Sequence, residues 1–353
     1  MTNIKRDANN FDIIRILFAW LVIISHSYVL LGTTECDWMC RLTGHYVPFS
    51  YFGVKGFITI SGFLIFKSLQ RSPNVLDYLW KRVIRIYPGL LIVLLLSIGM
   101  SYIIYQPWFL PFHKNPEIIS YILRNLKLYD NQWRIHGVFD HNTNTAINGS
   151  LWTMGFEFFF YLVLLVLFPI RKWTAFLTAT LIILVLAGMY GNLYYIERLQ
   201  HVDFRLRMDL VFELGTFFMM GALIGIINWD HIPVKRELFY LSIAFSITII
   251  TFRMNLIWMV VSWPYIVLYI GQKTSKVADW IHTHIEDPSY GIYLYAFPVQ
   301  QLIIYWLHPS VMVLLWTSTI VSFALGIASW KWIEKKTLVF KNLFVFKKSN
   351  NTI

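Results

Sequence analysis

FDIIRILFAWLVIISHSYVLLG, residues 11–32, is the stretch that decides the fold. From Ile13 to Leu31 nearly every residue is apolar, and a run of that length crosses a bilayer as a helix. Arg15 and His26 interrupt it. At 100° per residue their spacing is close to a whole number of turns, so both leave one face, about 16 Å apart along the axis. A guanidinium inside a span costs about 3 kcal/mol or more, so such a group normally faces a polar cavity. Taken singly, Arg15 could snorkel to the headgroups and His26 could be a satisfied interfacial histidine. Their shared face favours a site.

Composition excludes an ordinary soluble domain: the 353 residues are 57% hydrophobic, 18% aromatic and only 14% charged. The 15 Trp and 20 Tyr suit two interfacial belts. The net charge of +11 does not call for nucleic acid, because the basic residues sit in short clusters between apolar runs. The expected fold is an all-α polytopic membrane protein, one membrane-embedded domain over 1–353. About ten transmembrane helices are expected, near 11–31, 51–66, 87–105, 151–170, 174–190, 210–228, 238–251, 255–271, 289–307 and 312–331. With the N-terminus inside, the inner segments carry 19 and the outer segments 9 of the 30 Lys and Arg. Both termini are then cytoplasmic, with a long external segment at 106–150 and a short basic tail at 332–353. The first apolar segment is full length and lacks a small-residue cleavage site, so it reads as a retained span.

Cys36 and Cys40 fall in the first external loop, where a local disulfide and two free thiols are both open readings. No metal is expected: one cysteine pair offers too few ligands, and His45 nearby adds little. In FGVKGFITISGFLIF, residues 52–66, Lys55 reads as a cation near the outer surface, and Ser61-Gly62 as a kink or close packing point. In DYLWKRVIRIYPG, residues 77–89, Arg82 and Arg85 share a helical face and Pro88 bends or breaks the helix. That cluster is either a topology anchor or a cytoplasmic anion site. In NGSLWTMGFEFFFYL, residues 148–162, Ser150 is a candidate helix cap and Trp152 an interfacial aromatic. Glu157 is an acid within a span, expensive unless it is paired or faces water.

Together these blocks resemble the acyltransferase-3 family of bacterial membrane O-acyltransferases. The resemblance covers most of the chain. It rests on Asp12, Arg15 and His26; on Ser61 to Ile65; on Arg82, Arg85, Tyr87 and Pro88; on Ser150 to Thr153 with Glu157; and on SYGIYLYAFP at 289–298. Lys55 stands where many members carry an acid, Ala296 where a number carry histidine, and Lys336 where a proline usually follows Trp332-Ile333-Glu334-Lys335. No second catalytic imidazole is therefore expected at 296.

The resemblance implies transfer of a short acyl group, acetyl from acetyl-CoA first of all. The acceptor would be a hydroxyl of a surface or exported polysaccharide, or of its lipid-linked precursor, at the bacterial inner (cytoplasmic) membrane. His26 would be base or acyl carrier, Arg15 would orient the donor or stabilise negative charge, and Glu157 would orient His26 or pair with Arg15. Arg82 and Arg85 would hold the donor's phosphates, and Ser61 and Trp152 would line the site. Membrane lipid, glycan and acyl-CoA are the expected partners. A glycan transporter or flippase would also carry intramembrane charges, and a scaffold subunit of an envelope complex is a third class. Donor-dependent transfer separates the first two, and indifference to loss of His26 would mark the third.

Overall fold

The computed structural model describes residues 9–107, 110–194, 207–227 and 235–344. Lys5, Arg6, Trp108 and the end of the basic tail lie outside the described residues. Among the described residues the regular elements are helices: α1 (Phe11–Val29), α2 (Trp38–Leu42), α3 (Phe49–Arg71), α4 (Val75–Ile104), α5 (Pro116–Leu126), α6 (Trp152–Val166), α7 (Thr174–Tyr194), α8 (Met208–Ile224), α9 (Lys235–Thr251), α10 (Trp263–Gly271), α11 (Lys276–His284), α12 (Ser289–Leu307) and α13 (Val311–Ser329). Among the described residues, six helices are long and apolar enough to cross a membrane. They are α1, α3, α4, α7, α6 with the turn before it (Gly149–Val166), and α13 with its continuation (Val311–Asn342). Leu256–Gly271 is a shorter apolar helix. The 19-residue α12 buries Gln300 and Gln301, so it is a core helix of lower hydropathy.

Pro88 does not break its helix. Asn74 caps α4 by accepting from the Asp77 amide at 2.8 Å, and the helix runs unbroken through Pro88 to Ile104. Hydropathy marks only the later part of this helix, because its first turns carry Asp77, Lys81, Arg82 and Arg85. Lys55 also departs from expectation. Rather than lying open near a surface it is buried, 2.8 Å from Glu213 on α8 and over the Tyr51 ring. An opposite charge on a neighbouring helix satisfies the ammonium inside the protein.

The loop between α1 and α3 is tied down twice. Cys36 and Cys40 form a disulfide, with His45 Nδ1 3.3 Å from Cys36 Sγ. Buried Asp37 accepts from Ser25 Oγ at 2.5 Å and from the Phe49 amide at 3.1 Å, joining the loop to α1 and α3.

At Gly62, α3 meets α8 backbone to backbone. A Cβ at Gly62 would fall on the Phe218 carbonyl, and one at Gly221 on the Thr59 carbonyl. Small residues permit such an approach between helices in lipid. Gly62→Val is therefore expected to force α3 and α8 apart and to destabilise the protein by about 1–3 kcal/mol. A fluorescence-detected thermal melt in detergent checks this, and an unchanged Tm would show that the helices do not touch there.

Candidate active site

Helices α1, α3, α4, α6 and α12 enclose a cavity of about 370 Å³. Arg15, Ser61, Arg82, Arg85 and Glu157 all line it, brought from four helices. Arg71, Lys81 and Lys341 line it too, leaving Glu157 as the lone carboxylate among the lining residues. Along α3 the lining runs from Arg71 to Val54, about 26 Å of helix.

The two arginines of α4 differ in their partners. Arg85 lies 2.8 Å from Asp287, which also pairs with Arg15, and 3.7 Å from Glu334. Asp287 precedes α12 and is buried. Burial alone would raise its pKa, but the Arg15 and Arg85 guanidiniums outweigh that and hold it down at about 2. Arg82 has no carboxylate partner among the described residues. One of its nitrogens donates to Ser68 Oγ at 3.0 Å, its guanidinium lies over the Tyr78 and Tyr161 rings, and its Nε is buried without a partner. Arg85 is neutralised from within, whereas Arg82 keeps both a charge and a donor.

Glu157 accepts hydrogen bonds from the Ser61 and Tyr161 hydroxyls. Among the described residues no hydrogen bond joins it to His26 or Arg15, so neither expected pairing forms. One turn before it, Thr153 Oγ1 lies 2.8 Å from the Tyr293 hydroxyl. Ser150 is not the cap: the Asn148 side chain accepts from the Ser150 amide at 3.0 Å, and Ser150 Oγ is buried without a partner.

His26 does not line this cavity. Its ring meets Phe297 of α12 edge-on at 5.3 Å, and its Nδ1 is buried with no partner in the protein. Phe297 lies one helical turn beyond Tyr293, which does line the cavity. Phe297 therefore sits about 6 Å beyond Tyr293 along the α12 axis, and the imidazole packs on its ring. Arg15 and His26 both face α12 or the residue leading into it, as their shared face implies, but they lie at different depths. Trp152 falls outside the cavity and lines a separate recess.

Asp287, Tyr161 and Lys341 had no signal of their own in the sequence. An acid two residues before a helix reads as an ordinary end charge, and Lys341 belongs to a basic tail.

A multi-pass helical protein with a basic cavity one helical turn from the phenylalanine that packs on a half-buried imidazole is the class that the fold and site define. The family model described as an acyltransferase domain, that of the acyltransferase-3 family, matches residues 9–332, and the chain belongs to that family. It is 28% identical over 340 residues to the O-acetyl transferase of Shigella phage Sf6, covering 94% of this chain and 96% of the relative. It is 30% identical over 182 residues to Nodulation protein 10 of Rhizobium leguminosarum bv. viciae, covering 47% of this chain and 46% of that protein. No solved structure matches it significantly.

Proposed function

We propose that this acyltransferase moves an acetyl group from cytoplasmic acetyl-CoA to a hydroxyl of a surface polysaccharide or its lipid-linked precursor. The reading includes ten crossings of a bacterial inner membrane with both termini in the cytoplasm, which the Lys and Arg distribution supports. The observation that carries it is the lone-carboxylate, arginine-rich cavity lined by Tyr293, one helical turn from the Phe297 ring on which His26 packs. The relative named an O-acetyl transferase supports the acetyl group.

In this reading Arg82, with Arg71 and Lys341 at the cytoplasmic end, binds the phosphates of the donor. The narrow cavity takes the pantetheine arm and brings the thioester to Tyr293 and His26. Arg15, about 16 Å from His26 along α1, acts on the donor's shaft rather than on the reacting carbonyl. His26 removes the proton from the sugar hydroxyl as its oxygen attacks the thioester carbonyl. The carbon–sulfur bond then breaks, and the imidazolium returns the proton to the departing thiolate. Glu157, through Ser61 and Tyr161, fixes the cavity wall beside the donor.

Arg82→Gln is expected to raise the KM for acetyl-CoA about 10–100-fold, the worth of a charge-assisted hydrogen bond, with a smaller change in kcat. Transfer of radiolabel from acetyl-CoA by the purified protein measures both. An unchanged KM would remove the phosphates from Arg82, and no donor-dependent transfer at all would favour a transporter.

A further inference from the structure

The first two turns of α6 have a different recess on each side. Thr153, Met154 and Glu157 face the donor cavity, whereas Trp152, Gly155 and Phe156 line a second cavity of about 990 Å³. The opposite wall of this larger cleft is the stretch that follows α5. Tyr129 and Trp133 line it there, both with substantial exposed ring surface. Between them stand Asp130 and Asn131, with Arg124 of α5 2.7 Å from Asp130, and Arg207 contributes from the start of α8.

The cleft leads toward the imidazole. Gly149 lines it, and a Cβ at Gly149 would strike the Phe297 ring, the same ring that His26 meets edge-on. One phenylalanine thus separates the inner end of the cleft from His26.

We propose that this cleft is the acceptor site and that it binds pyranose rings of a glycan, an assignment that rests on the acyl-transfer reading above. A pyranose presents a face of polarised C–H groups and a rim of hydroxyls. The C–H face suits the electron-rich faces of Trp133, Tyr129 and Trp152. The hydroxyl rim suits planar amide, carboxylate and guanidinium groups, which Asn131, Asp130, Arg124 and Arg207 supply. The volume is at the upper end for a small-ligand site and accommodates more than one sugar ring. A lipid chain would need an apolar trough, and the charged residues along this wall oppose one.

The test uses the full-length protein in cells that lack the native copy. The ester content of their surface glycan is read by NMR, and retention of radiolabelled acetyl-CoA by the purified protein is read in parallel. Trp133→Ala and Tyr129→Ala are each expected to lower ester content about fivefold or more at equal membrane levels, as truncating an aromatic anchor does. Acetyl-CoA retention should stay at the wild-type value, and Trp133→Phe, which keeps an aromatic face, should lose less than Trp133→Ala. Wild-type ester content in both alanine variants would overturn the assignment. So would a fall in ester content matched by a fall in acetyl-CoA retention, which would mark damage to the fold. If the wild-type protein itself restores no ester, the acyl-transfer reading fails, and the cleft loses its assigned ligand with it.

Discussion

Replacing His26 by alanine is expected to lower ester formation by about 10²–10⁴-fold, the contribution of a positioned general base. The structure makes this a clean substitution. His26 Nδ1 has no partner in the protein, so the change breaks no hydrogen bond there, and the packing loss is the edge-on contact with Phe297. That contact is worth about 0.5–1.5 kcal/mol beyond the area it buries, and the comparison at matched membrane levels removes any loss of folded protein from the reading. His26→Phe separates chemistry from packing, since it keeps a ring against Phe297 and removes both nitrogens. NMR of glycan from cells complemented with each version, at matched membrane levels, reads the result. Ester content equal to wild type in the alanine variant would make His26 structural and end the mechanism.

Asp287→Ala is expected to destabilise the protein by about 3 kcal/mol, because it takes the shared buried carboxylate away from two half-buried guanidiniums at once. Arg15 and Arg85 converge on this carboxylate from α1 and α4, and Glu334 reaches only Arg85, at 3.7 Å. A thermal melt in detergent should show a large fall in Tm, and Asp287→Asn, which keeps the shape and loses the charge, a smaller one. The pH dependence has a definite sign. The folded-state pKa is depressed from 3.8 to about 2, so the stabilisation is fully present above pH 3.8 and is lost as pH falls toward 2. Wild type should lose more stability than Asp287→Asn over that interval, and parallel curves would show that the two arginines do not depend on this acid.

Helical periodicity placed Arg15 and His26 on one face, and in the folded chain both address α12 or the acid just before it. The same rule placed Arg82 and Arg85 together, and both line one cavity. Sequence did not show that Arg85 is satisfied by Asp287 and Glu334 while Arg82 is not. Those partners lie 202 and 249 positions away, and no local pattern encodes which helices become neighbours. The same limit hid Ser61 from Glu157 and Glu213 from Lys55, each of which stands on the helix opposite. Span boundaries were legible where lipid contact ends but not where the helix ends: α4 continues as a polar helix well before its apolar run begins, since backbone hydrogen bonding does not stop at the headgroups.

In the proposed orientation, the wall shared by the two recesses also has an electrical meaning. Water entering from both faces would concentrate the membrane potential across a partition of two helical turns and the Phe297–His26 contact, rather than across about 30 Å of hydrocarbon. Moving one charge through that field costs about 2.3 kcal/mol per 100 mV, and coenzyme A carries several. An acetyl group carries none. Handing over only the neutral fragment lets the phosphates stay on the side where they entered, so the voltage does no work on the transferred group. Turnover in sealed vesicles should then be the same whether or not a potassium–valinomycin potential is imposed.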